Sequence, residues 1–167
     1  AFRRRGAAVH VTGTRADASA YAELPDADLT GLGYQKLELS DSTAIDSLAF
    51  ATDSLDVLVL CQGAVRYARA EFTPSVFREV VEINLNSIMA CAARFHAMLK
   101  ASRGSLIVIS SIAAFSARIG NPAYASSKAG AVALVKTLAE AWASDGIRVN
   151  GIAPGLVPSK LTAITTG

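Results

Sequence analysis

The chain has 167 residues, 51% of them hydrophobic and 18% charged, with a net charge of +2. That suffices for one domain with a substantial core and is too little for two ordinary ones. The near-neutral balance gives no argument for nucleic acid or an acidic surface as the main partner, and no apolar run approaches the roughly 20 residues that span a bilayer.

The basic run Arg3–Arg5 precedes Gly6 and reads as the last turn of a helix, where cations suit the helix dipole and glycine supplies the cap. "AAVHVTG" (7–13) reads as a strand and "YQKLELS" (34–40) as a weaker one. "STAIDSLAF" (42–50) follows as a helix with Ser42 as its cap. "LDVLVLCQGA" (55–64) is a near-continuous apolar run stopped by glycine, as expected of a strand buried on both faces. Residues 73–102 read as one long helix or two consecutive ones, with Thr73 as N-cap and Pro74 at the first position. "GSLIVISSIAA" (104–114) is another strand, 122–144 an alanine-rich helix, and "GIRVNGIAPG" (146–155) a last strand. Cys61 and Cys91 lie in apolar surroundings without metal-ligand spacing and read as free thiols, so no metal site is expected. With no signal-peptide pattern, a cytoplasmic protein is the expectation.

This alternation is that of an α/β fold, a doubly wound parallel sheet in three α/β/α layers. Ligands in such folds bind outside the carboxyl ends of the strands. The positions to inspect are therefore Gly13–Arg15, Cys61–Ala64, Ser110–Ile112 and Pro154–Ser159.

Within the helix 122–144, Tyr124 and Lys128 stand four residues apart and share a face. An ammonium beside a phenol favours phenolate and brings a group that titrates near 10 toward the operating pH of a general acid or base. Ser110 and Ser111 end a buried strand, where a hydroxyl can hydrogen-bond a substrate oxygen or simply cap a turn. Asn84 is an unusual residue for a helix interior, placed either to bind water or backbone or to face solvent.

"YASSK" with the upstream "ISS" and "EINLNS" and the downstream "RVNGIAPGLVPS" resembles the short-chain dehydrogenase/reductase family, in particular its compact NAD(P)-dependent alcohol dehydrogenases and ketoreductases. The resemblance runs along essentially the whole chain. It implies a Rossmann-like fold and an oxidoreductase that moves hydride between NAD(P)(H) and an alcohol/ketone pair. Tyr124 becomes the acid/base, Lys128 the group that lowers its pKa and binds the nicotinamide ribose, Ser111 the residue that orients the substrate oxygen, and Asn84 the holder of a relay water. Gly63 gives the cofactor room; Pro154, Gly155, Val157 and Ser159 correspond to the segment around the nicotinamide. Leu39 corresponds to an adenine contact. Gly13 stands where NAD-dependent members place an acid, and Arg15 follows as a partner for a 2′-phosphate, so NADP is expected, with NAD as the alternative. The family also leads one to expect a small-molecule alcohol or ketone substrate and a homodimer or homotetramer, consistent with surplus apolar surface on the long helices.

Two departures qualify the resemblance. The family's glycine-rich phosphate loop and its central first strand have no counterpart, nor does its C-terminal part, so a single domain over 1–167 is expected to lack them. "LCQG" replaces Asn-Asn-Ala-Gly, which leaves Cys61 and Gln62 without an inherited role. The competing reading is a degenerate, non-catalytic binding or assembly module.

Overall fold

A computed structural model describes residues 2–22, 24 and 27–157. The chain divides into two compact units, Ala1–Ala51 and Thr52–Gly167. All strand pairs are parallel, the order of strands and helices is the expected one, and the arrangement is Rossmann-like α/β.

In the first unit, Arg3–Arg5 forms a single 3₁₀ turn closed by Gly6 at φ 85°, the left-handed cap that glycine adopts without strain. Strand β1 (His10–Gly13) pairs with β2 (Gly33–Lys36) in the register His10↔Gly33 to Gly13↔Lys36. Helix α1 (Ser42–Ser47) is capped by Asp41, not Ser42: the carboxylate accepts from the Thr43 and Ala44 N–H groups at 2.9 and 3.3 Å. An ionised acceptor at the positive end of a helix is the stronger cap, which moves the start back one residue. Leu37, Ile45 and Leu48 are the buried side chains here.

In the second unit, β3 (Val57–Leu60), β4 (Ser105–Ile109) and β5 (Arg148–Ile152) form a sheet in the order β3-β4-β5. Leu106 and Val108 of the middle strand are fully buried, as a strand flanked and covered must be. No hydrogen-bonded strand joins the two sheets among the described residues.

Helix α2 (Pro74–Val81) and helix α3 (Ser87–Ser102) are one run interrupted by a π-helical turn over Glu82–Asn86. Pro74 occupies the first position, where its missing N–H costs nothing. Ile88, Ala92, Phe95 and Leu99 recur at helical spacing and are buried as α3 packs on β3 and β4. Helix α4 (Pro122–Ala141) lies on β5 and crosses both α2 and the π turn. Gly130 makes that crossing close: a Cβ there would stand 2.8 Å from Leu85 Cδ2. No helix among the described residues is long and apolar enough to cross a membrane, and no metal-ligand cluster occurs among them.

Candidate active site

The strand ends of the second unit gather most of the residues singled out above. β3 leads into Cys61–Ala64, β4 into Ser110 and Ser111, and β5 into Pro154, while α4 sends Lys128 toward them and carries Tyr124 one turn earlier. The Lys128 ammonium is 5.9 Å from the centre of the Tyr124 ring, as the one-turn spacing requires. Lys128 is buried, and Nζ donates to two strand-end carbonyls, Ile109 at 2.9 Å and Gln62 at 3.2 Å. Burial pushes its pKa down from 10.5 to about 8, partly opposed by the nearby sulfur of Cys61.

The two serines separate cleanly. Ser110 is buried and donates its hydroxyl to the Lys128 carbonyl at 2.9 Å, tying β4 to α4. Ser111 is half-buried, and its Oγ accepts from the Ala113 N–H at 3.1 Å. A hydroxyl that accepts from a backbone N–H directs its own proton elsewhere, so Ser111 retains a donor for an incoming oxygen.

Asn84 is fully buried in the π turn and grips the segment after β3. Oδ1 accepts from the Ala64 N–H at 2.6 Å, and Nδ2 donates to the Ala64 carbonyl at 2.8 Å and to Ser127 Oγ at 3.1 Å. Both amide hydrogens are thus committed, and the remaining capacity is one acceptor site on Oδ1, where the expected water must donate. Single π turns insert one residue into a helix and often occur at functional sites; here the turn carries the amide that holds the loop. Gln62, without an inherited role, donates from Nε2 to Ser87 Oγ at 3.1 Å, a second tie between that segment and the helix.

Gly63 is exposed above these groups. A Cβ there would stand 3.4 Å from Lys128 Nζ and 3.9 Å from Asn84 Oδ1, filling open space beside the ammonium. Pro154 accepts from the Ile112 N–H at 3.0 Å, joining the end of β5 to the turn after Ser111, and Gly155 is open on its Cβ side. Val157 is exposed; Ser159 lies outside the described residues.

Arg15 and Leu39 belong to the first unit. The Arg15 guanidinium donates to the Ala20 carbonyl and stacks 5.0 Å from the centre of the Tyr21 ring, and the Tyr34 hydroxyl donates to the Arg15 carbonyl at 2.6 Å. Leu39 is half-buried in the turn after β2.

The sequence does not single out Glu71, yet this fully buried carboxylate receives the Tyr124 N–H at 2.9 Å. A lone acid just before a helix start reads as solvated. Only the fold brings donors to it.

The family model for short chain dehydrogenase matches residues 1–166. Among curated proteins, 2-dehydro-3-deoxy-D-gluconate 5-dehydrogenase of Bacillus subtilis is 39% identical over 132 residues, 75% of this chain and 52% of that protein. The 3-oxoacyl-[acyl-carrier-protein] reductase FabG of Chlamydia trachomatis is 30% identical over 169 residues, 96% of this chain and 68% of that one. Among solved structures, the Pseudomonas aeruginosa RhlG/NADP active-site complex superposes with a TM-score of 0.82 at 29% identity, covering 94% of this chain and 66% of that one. The chain spans about half the length of the first curated relatives it matches, between 51% and 57%.

Proposed function

The chain belongs to the short-chain dehydrogenase family, and from that premise we propose that the protein is an NAD(P)-dependent oxidoreductase acting on an alcohol/ketone pair, with Tyr124 as acid/base. The observation that carries this reading is the burial of Lys128 against two strand-end carbonyls, one turn along α4 from Tyr124, with an open glycine beside its ammonium.

The residues present fit a nicotinamide cofactor. Gly63 leaves a cradle beside Lys128 Nζ that a Cβ would fill, and Gly155 is open on its Cβ side. Gly63, Lys128, Tyr124, Pro154, Gly155 and Val157 would hold the nicotinamide half there, with Ser159 beyond them in sequence. Bound at that place, NAD(P)H supplies the hydride.

The remaining steps belong to the chain itself. Ser111 donates its free hydroxyl proton to the substrate oxygen and fixes it. In the reductive direction Tyr124 Oη gives its proton to that oxygen, and in the oxidative direction it takes one. The Lys128 charge stabilises the phenolate in between. Asn84 keeps Ala64 and Gly63 in place and offers Oδ1 to the relay water.

Gly13 instead of an acid at the end of β1, with Arg15 two residues on, favours NADP over NAD. A relative solved as an NADP complex supports the same choice. The relatives' names indicate substrates carrying a hydroxyl or keto group, one a sugar acid and one a carrier-bound acyl chain. Leu39 remains the proposed adenine contact, and the two units are read as parts of one cofactor-binding domain. Phe77 and Met89, exposed on α2 and α3, support a homodimer or homotetramer.

The test is oxidation of NADPH and NADH by the full-length protein across a panel of keto acids, keto sugars and 3-oxoacyl thioesters. The reading expects turnover with at least one class and a lower KM for NADPH; no turnover with any class contradicts it.

A further inference from the structure

Helix α4 does not cap itself. Its N-cap residue, Asn121, makes no side-chain capping bond, and Pro122 has no N–H to offer. The Tyr124 amide is met by Glu71, 53 residues earlier in the chain. Glu71 sits in the turn Ala70–Phe72, and it is the one buried acidic side chain among the described residues.

Three donors from two chain segments, the loop after β3 and the start of α4, converge on its carboxylate. Oε2 accepts from the Tyr124 N–H at 2.9 Å; Oε1 accepts from the Arg66 N–H at 3.0 Å and from Asn121 Nδ2 at 3.4 Å. Asn121 Nδ2 also donates to the Arg66 carbonyl at 3.0 Å, which closes the junction between the loop after β3 and the start of α4. A buried charge is tolerated only where hydrogen bonds and opposite charge compensate it. Here the compensation comes from two backbone amides, a side-chain amide and the positive end of a 20-residue helix.

We propose that Glu71 is a positioning residue for the acid/base: its carboxylate locks the Tyr124 backbone and the first turn of α4 to the loop that carries Gly63 and Ala64. The inference rests on the reading of Tyr124 as acid/base. It requires a carboxylate in particular. Both oxygens face donors, and only a carboxylate accepts on both edges. Glutamine has the same shape but turns an NH₂ toward one set of donors. Aspartate is one methylene short and keeps every acceptor.

That contrast defines the experiment. Glu71→Gln, Glu71→Asp and Tyr124→Phe are made in the full-length protein, and kcat is measured beside the dissociation constant for the reduced cofactor. E71Q is expected to lose at least about tenfold in kcat, the scale of misplacing a reacting group, with cofactor affinity within about threefold of wild type. E71D is expected to fall between wild type and E71Q. A role confined to filling space gives the opposite order, the isosteric Gln outperforming Asp, and that order overturns the proposal. Wild-type kcat in E71Q overturns it too. If E71Q does not fold, E71D alone decides, with reduced kcat at unchanged cofactor affinity supporting the proposal and wild-type kcat overturning it. Y124F separates the two levels: an active Y124F contradicts the acid/base reading itself, whereas an inactive Y124F beside a wild-type E71Q contradicts only the role of Glu71.

Discussion

Asn84 holds Ala64 at both of its backbone polar groups, accepting from the N–H at 2.6 Å and donating to the carbonyl at 2.8 Å. A side-chain amide carries an acceptor oxygen and a donor nitrogen on one carbon, so it can meet a backbone N–H and a carbonyl of the same residue at once. Because Ala64 adjoins Gly63, the same pair sets the height of the loop above Lys128.

Asn84→Asp keeps the shape and loses the donor. Its second oxygen would face the Ala64 carbonyl without a hydrogen between them. We expect a loss of about 1–3 kcal/mol in stability, the range for a buried polar group left unpaired, measured by urea denaturation at pH 7. A loss below about 0.5 kcal/mol would show that the grip contributes little.

Lys128 makes stability depend on pH in a defined window. Above pH 10.5 the amine is neutral folded or unfolded; below about 8 it is protonated in both. In between, the unfolded chain holds a proton that the folded site releases, so this contribution is fully present above 10.5 and is lost as pH falls toward 8. Lys128→Met removes the dependence. Urea titrations at the two ends of the window should show wild type gaining on K128M as pH rises. Parallel behaviour of the two proteins would contradict the burial of the ammonium. Turnover of K128M should drop by about 10²-fold or more, the range for a lost contributor to acid–base catalysis.

Gly63→Ala places a methyl 3.4 Å from Lys128 Nζ, and the three nearest atoms it meets are all side-chain atoms. The protein should fold with an almost unchanged thermal midpoint, while NADPH binding weakens about tenfold, equivalent to 1.4 kcal/mol of overpacking. Fluorescence titration with NADPH reads this directly. Unchanged affinity would remove Gly63 from the cofactor cradle.

Gly130→Ala acts differently, since its Cβ meets Leu85 at 2.8 Å where α4 crosses the π turn. Helix propensity favours alanine by up to about 1 kcal/mol. The clash should outweigh that and give a net loss of about 1–3 kcal/mol, visible as a lower thermal midpoint. A stabilised variant would mean that the crossing is looser than these distances imply.

What the sequence makes legible is what local spacing encodes. The four-residue interval puts Tyr124 and Lys128 on one face of a helix that is present over Pro122–Ala141. Apolar runs ending in glycine or serine mark β3 and β4 and hence the strand ends where the site lies. Asn84 stands out because an amide is out of place in a helix interior, but its partner Ala64 lies 20 residues away and meets it only in the fold. Glu71 gives no signal at all, because its three donors come from Arg66, Asn121 and Tyr124 and meet only after folding. Asp41 is obscured by its neighbour: Ser42 also suits a cap, and the competition is decided by the stronger acceptor.

The most direct test of the account is turnover of Tyr124→Phe in the full-length protein, measured with saturating NADPH and a substrate that wild type reduces. Removing Oη leaves the ring beside Lys128 and the N–H bond to Glu71 intact, so folding and cofactor binding should persist while kcat falls by about 10²–10⁴-fold. A Y124F protein that binds NADPH as wild type does and still turns over at the wild-type rate would contradict the assignment of Tyr124 as the acid/base.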